Sequence, residues 1–142
     1  GRLQGSTPMK LSTRSRYGTR LLVDLARNSD KTPIQIGEIS KRQEISVKYL
    51  EQLIRPLKKA GFVTSVRGAR GGHMLAKKPE KIRLGDIVRL FETHTDLVDC
   101  VSQPNKCPMS DDCRVRLAWQ EATEVLYQKL DGVTIADLVH ET

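Results

Sequence analysis

The stretch from Ile36 to Ala76 admits few folds. Two apolar-periodic segments, about 36–43 and 47–60, are separated only by Glu44-Ile-Ser46. In the first, Ile36 and Ile39 fall on one helical side; in the second, Leu50, Leu53, Ile54 and Leu57 form a continuous stripe. Ser46 stands where an N-cap hydroxyl is needed, and Gly61 where a left-handed residue closes a helix. Pro56 inside the second segment should bend it or leave one carbonyl unpaired. Two short helices about a tight turn, the second capped by Ser and opening on polar residues, match a helix-turn-helix. Phe62–Val66 then reads as a strand, Arg67-Gly-Ala-Arg-Gly-Gly72 as a turn and His73–Ala76 as the returning strand. A hairpin in that place is a wing. Gly68, Gly71 and Gly72 let the backbone approach closely, and Arg67 and Arg70 can enter a minor groove or hold phosphates. A nucleotide-cradling loop fits poorly, because no Gly-Lys-Ser/Thr follows and the spaced-glycine fingerprint is incomplete.

Charge points the same way. Net charge is +7, but residues 1–83 carry 19 Lys and Arg against 6 Asp and Glu, whereas residues 84–142 carry 5 against 11. A solvated basic surface is the bland reading. An excess confined to the half with the helix-turn-helix pattern favours a polyanion, with nucleic acid the leading candidate. Upstream, Ser12 or Thr13 can cap a first helix in which Tyr17, Leu21, Leu22, Leu25 and Ala26 fall at helical spacing. Its opening carries Arg14, Arg16 and, a turn later, Arg20. Cations at a helix N-terminus oppose the dipole, so an anion outside the chain, such as phosphate, would explain them. Arg14, Arg16 and Tyr17 are therefore placed among the DNA contacts.

All three cysteines lie at 100, 107 and 113, with six residues in the first gap and five in the second. Pro104, Asn105, Pro108 and Ser110 between them are turn formers, so a loop can fold three sulfurs toward one point. Thiolates converging on a loop suit a soft metal or an iron–sulfur cluster. Disulfides fit poorly with an odd count, and structural zinc wants four ligands with close C-x-x-C pairs. Three ordinary small residues are the remaining alternative. Around this segment, Leu84–Glu92 reads as a helix with Ile87, Val88 and Phe91 inward. A long helix follows over roughly 111–130, capped by Ser110 or an Asp, in which Val115, Ala118, Trp119, Ala122, Val125, Leu126 and Lys129–Leu130 keep a three-then-four rhythm. That rhythm suits a dimer seam as well as a core helix. With 38% hydrophobic and 4% aromatic residues, a monomeric core would be thin. Gly132 ends the long helix, and Thr134-Ile-Ala-Asp137 opens a last short one with a capping box.

Several motifs carry a family resemblance: Met9-Lys-Leu-Ser-Thr-Arg-Ser-Arg-Tyr-Gly, Ile39-Ser-Lys-Arg-Gln-Glu-Ile-Ser-Val-Lys-Tyr-Leu-Glu-Gln-Leu and Ser65-Val-Arg-Gly-Ala-Arg-Gly-Gly. They resemble the Rrf-type winged-helix regulators, nearest to the IscR-like branch of iron–sulfur cluster regulators, over essentially Met9–Val139. The resemblance implies a homodimeric bacterial transcription factor; since one head reads only half a site, the dimer should bind a palindromic operator in double-stranded DNA, and a repressor is expected. It implies a mostly α fold: a winged helix-turn-helix with a small β-hairpin wing, plus a long C-terminal dimerisation helix. By position, Ser46, Lys48, Tyr49, Glu51 and Gln52 occupy the DNA-facing start of the recognition helix, and Arg67 is the wing arginine. Cys100, Cys107 and Cys113 match the three cluster cysteines, for a 2Fe-2S cluster ahead of a 4Fe-4S one.

Two features depart from that pattern. The first cysteine gap is one residue longer, and Arg116 stands where the pattern has a ligating histidine. The fourth ligand is thus open: His94, Asp99, Asp111 and Asp112 are candidates, and a weak or exogenous ligand is expected. Residues 1–8 read as an expression remnant, 9–83 as the DNA-binding head, and 84–142 as the cysteine loop and dimerisation helices. Neither a secretion signal nor a run of membrane-span length is present, so a cytoplasmic protein is expected. A cluster-free relative that senses thiol oxidation or an effector is the main rival. An enzyme with a cysteine nucleophile needs a base, and His73, His94 and His140 are scattered over wing, helix end and terminus.

Overall fold

A computed structural model describes residues 12–28, 32–92 and 114–140. Its elements are α1 (Thr13–Arg27), α2 (Ile36–Gln43), α3 (Val47–Lys59), β1 (Val63–Val66), β2 (Gly72–Leu75), α4 (Leu84–Phe91), α5 (Arg114–Asp131) and α6 (Ile135–His140). The chain is mostly helical, with one two-stranded antiparallel hairpin. The expected winged helix-turn-helix is present. Residues 1–8 and the cysteine segment fall outside the described residues.

The predicted caps are in place. Ser12 Oγ accepts from the Ser15 amide and Ser46 Oγ from the Tyr49 amide. Thr134 and Asp137 exchange backbone and side-chain bonds at 2.9 and 3.1 Å, closing the capping box of α6. Glu44 takes the left-handed conformation at φ 55°, which turns the chain sharply enough to send α3 across α2. Gly61 at φ 86° closes α3 in the same way. α3 runs past Pro56 to Lys59 without a break.

α1 lies at the centre of the core. Leu21, Leu22 and Leu25 are fully buried against Ile39 of α2, Leu50, Leu53 and Leu57 of α3, Ile87 of α4 and Ile135 of α6. Residues on both sides of Arg83 therefore share one core. Burying each large aliphatic side chain contributes roughly 1.5–3 kcal/mol, so this cluster is the main source of stability.

Three features differ from expectation. Residues 77–81, between the wing and α4, contain a 3-10 turn at Pro79–Lys81, seated against α6. Ile34 pairs with His73 at 2.8 Å in both directions, so the hairpin's base is stitched to the entry of α2. Asp24, in the apolar stripe of α1 and 2% exposed, takes Arg42 at 2.8 and 3.0 Å and Gln43 at 2.9 Å. That buried carboxylate bolts the helix-turn-helix to α1. Its one signal in the sequence was a charge three residues after Leu21, on the side that should be apolar.

Candidate nucleic-acid interface

The stripe that buries Leu50, Leu53, Ile54 and Leu57 turns the opposite side of α3 outward. On that side stand Lys48, Glu51, Gln52, Arg55, Lys58 and Lys59, all exposed. Glu51 and Gln52 have no hydrogen-bond partner among the described residues, which leaves an acceptor-only carboxylate and a donor–acceptor amide facing outward. Arg55 was missed from the sequence, although it lies four residues from Glu51 and three from Gln52, on the same face. Ser46 is engaged as the cap, its Oγ accepting from the Tyr49 amide at 3.1 Å.

Tyr17 and Tyr49 do not project freely. Their rings meet edge to face at 5.8 Å and 84°, and the Arg20 guanidinium lies 5.0 Å over Tyr17. Arg20 also donates to the Gln43 backbone and side chain. This stack locks the start of the recognition helix to α1, so the two tyrosines hold the outward face of α3 in place.

The wing carries Arg67 and Arg70 exposed at its tip. Gly68 at φ 109° makes the turn, which the Gly71 amide closes on the Gly68 carbonyl at 2.9 Å. Any side chain on Gly71 would strike the Val66 carbonyl. Ser65 Oγ and His73 Nδ1, 2.8 Å apart, join the strands across the register. Burial pushes the His73 pKa down, nearby Lys58 adds to that, and Glu51 partly opposes it. Between α3, the wing and the start of α2 is an open cleft of about 290 Å³, lined by Ile36, Glu51, Ile54, Arg55, Lys58 and His73.

At the opening of α1, Arg14 and Arg16 are exposed. Within the chain, a carboxylate also stands at this helix end. Glu92, at the end of α4, accepts from the Ser12 amide and from the hydroxyls of Ser12 and Ser15. Burial works to raise its pKa, and those hydrogen bonds more than offset this, leaving it below the usual carboxylate range.

Cys100, Cys107 and Cys113, and with them His94, Asp99, Asp111 and Asp112, lie outside the described residues. No group of His, Cys, Asp and Glu able to hold a metal occurs among the described residues. Arg116 is half-buried in the first turn of α5. A guanidinium has no lone pair to give a metal, so this position supplies no ligand.

The architecture and the outward basic face agree with a match to the Rrf2 family, described as iron-dependent transcriptional regulators, over residues 11–141. The chain belongs to the Rrf2 family. It is 48% identical to Protein rrf2 of Nitratidesulfovibrio vulgaris over 94% of this chain and 89% of that one. Among solved structures it is similar to IscR of T. potens, with a TM-score of 0.76, 35% identity and coverage of 94% and 88%. It is equally similar in fold to CymR, the global cysteine regulator of B. subtilis, with a TM-score of 0.76, 33% identity and coverage of 94% and 98%. This Rrf2-family protein is a DNA-binding transcriptional regulator, and its relatives are regulators rather than enzymes. No helix among its described residues is long and apolar enough to cross a membrane.

Proposed function

We propose that two copies of this chain read a twofold-symmetric operator in the cytoplasm and repress from it, under the control of an iron–sulfur cluster held by Cys100, Cys107 and Cys113. One observation carries the reading of DNA. Arg14 and Arg16 of α1, the face of α3 bearing Lys48, Glu51 and Gln52, and the wing arginines Arg67 and Arg70 are all exposed, on the elements a winged helix presents to a duplex. In this reading Glu51 accepts from a cytosine amino group, Gln52 pairs an adenine edge, and the arginines and Lys48 hold phosphates. Ser46, Tyr17 and Tyr49 contact the backbone from the rim. α5 supports the pairing of two copies, since Val115, Trp119 and Leu126 lie on one helical side and are 59%, 41% and 37% exposed.

The donor set fits a cluster. Three thiols within fourteen residues are soft ligands, and the fourth position falls to a weak donor, His94 or one of Asp99, Asp111 and Asp112, or to an exogenous ligand. When bound, the cluster supplies a centre sensitive to redox state and to small ligands. A second reading has support in the likeness to CymR and in Arg116 standing at the pattern's histidine: the same thiols act without iron, as an oxidation sensor.

Two measurements test these readings. Selection from a randomised duplex pool should enrich a sequence with twofold symmetry; enrichment of no sequence would remove the operator reading. Protein purified without oxygen should be brown and carry iron with acid-labile sulfide, the 2Fe-2S form being favoured. A colourless protein with a reactive thiol would transfer the reading to the cluster-free sensor.

A further inference from the structure

The cleft between α3 and the wing opens on the outward face of α3, and Glu51 belongs to both. Arg55 and Lys58 line it about one and two turns further along the helix. Both are exposed, and neither has a hydrogen-bond or ion-pair partner among the described residues. Ile54, 4% exposed, and the half-buried Ile36 add apolar surface. From the wing comes His73, half-buried on β2. Its Nδ1 lies 2.8 Å from Ser65 Oγ, and its amide and carbonyl bond to Ile34 at 2.8 Å. The ring is therefore held in place, and Nε2 has no partner among the described residues. Burial keeps the His73 pKa below its ordinary value; Lys58 adds to this and Glu51 opposes it. Those two and Arg55, all from α3, are the charged groups around the ring among the described residues. Ser65 of β1 and Ile34 and Ile36 at the entry to α2 bring none.

A helix in the major groove and a wing in the neighbouring minor groove straddle the sugar–phosphate strand that divides the two. That strand has to run between helix and wing, where this cleft of about 290 Å³ lies. Two permanent cations and an imidazole suit a phosphate oxygen, and the one carboxylate, Glu51, is the group turned to a base edge. We propose that the cleft seats the phosphodiester strand between the two grooves, held by Arg55, Lys58 and His73, and that His73 takes up a proton as the strand enters. The seat rests on the regulator reading above. An incoming phosphate brings negative charge beside the ring and favours its protonated form. The proton comes from solvent. Once protonated, the imidazole donates from both nitrogens, to Ser65 Oγ and to a phosphate oxygen. The free protein holds this histidine uncharged at neutral pH, so binding consumes a proton and affinity rises as pH falls.

The test measures dissociation constants by fluorescence anisotropy on the duplex enriched from the randomised pool, between about pH 8 and about pH 6, on either side of the ordinary histidine value. The wild type should bind about tenfold more tightly at the lower pH, the gain when each of two heads raises its histidine by about one pH unit. His73→Gln keeps a donor and cannot take the proton, so it should match the wild type at the upper pH and gain nothing at the lower. Any response from His94 and His140 is common to both proteins and cancels. Arg55→Gln/Lys58→Gln should weaken binding about tenfold, alike on duplexes varied one base pair at a time, as phosphate contacts do. Replacing phosphates singly by methylphosphonate should find one position in each half-site where the pH response vanishes. An equal pH response in the wild type and His73→Gln would overturn the proton uptake. Unchanged affinity in the double variant, or a loss confined to one base pair, would overturn the seat. Should His73→Gln fail to fold, the methylphosphonate series decides with the wild type alone. If the wild type enriches no duplex, the operator reading fails by itself; the pH response and the double variant are then read on a duplex of arbitrary sequence, where phosphate contacts persist.

Discussion

Glu51 and Asp24 are both acidic residues on helices of the winged helix-turn-helix, and their surroundings give them opposite work. Glu51 is exposed and unpaired, so replacing it costs the fold little. Its loss should remove about 1–3 kcal/mol of discrimination at one base pair, with affinity for other sites kept. Binding to duplexes varied one position at a time would reveal this; a uniform loss across all of them would deny Glu51 a reading role. Asp24 has its side chain 1% exposed, beside Arg42 at 37%. Arg42→Ala strands that carboxylate with Gln43 alone and should cost about 3–5 kcal/mol in urea denaturation. A cost below about 1 kcal/mol, the usual worth of a surface pair, would mean that water replaces Arg42 there.

Among the elements, α5 stands apart because so little of its apolar surface is covered. Only Thr123 and Tyr127 are buried along its 18 residues, while Val115, Trp119, Val125 and Leu126 are exposed. The double variant Trp119→Glu/Leu126→Glu is expected to keep its helical content and to weaken self-association by more than thirtyfold, since two anchors of an apolar seam are worth at least about 2 kcal/mol. Sedimentation velocity across protein concentration checks it; a wild type that is monomeric at micromolar concentration would disprove the seam. At this scale the sequence was legible where periodicity and end signals agreed, as at Ser12, Ser46, Gly61 and Thr134 with Asp137. It was less legible where partners are distant in sequence. Arg89 meets Asp131 and Ser12 meets Glu92 across 42 and 80 residues, which no local pattern encodes. Within the site, the reading face of α3 followed from the stripe on its other side, yet the locking of Tyr17 on Tyr49 depends on how α1 crosses α3. Tyrosine spacing alone could not tell a positioning ring from a contacting one.

The whole molecule should weaken toward acid in two stages and bind DNA with a salt dependence that counts its copies. His73 has a pKa below its ordinary 6.5, chiefly through burial. Between those values the unfolded chain holds a proton that the folded chain does not, so stability falls as pH drops below about 6.5. Glu92 and Asp131 are also lowered, Glu92 by its serine hydrogen bonds against the effect of burial and Asp131 mainly by Arg89. Their contribution is present above the ordinary carboxylate range and is lost as pH falls from that range through their lowered folded values. Thermal melts should show both stages, with His73→Gln removing the upper one alone. For DNA, Arg14, Arg16, Lys48, Arg67 and Arg70 offer five cations per copy. If each neutralises one phosphate, a dimer releases about ten counterions and log Kd should rise with log salt at a slope near 9. One copy alone would give about half of that. The Trp119→Glu/Leu126→Glu variant, assayed on a half-site, should therefore show a slope of about 4–5, with the same residues making the same contacts. An unchanged slope in that variant would mean that a single head already carries all the phosphate contacts, and a flat dependence in the wild type would remove these five residues from the duplex altogether.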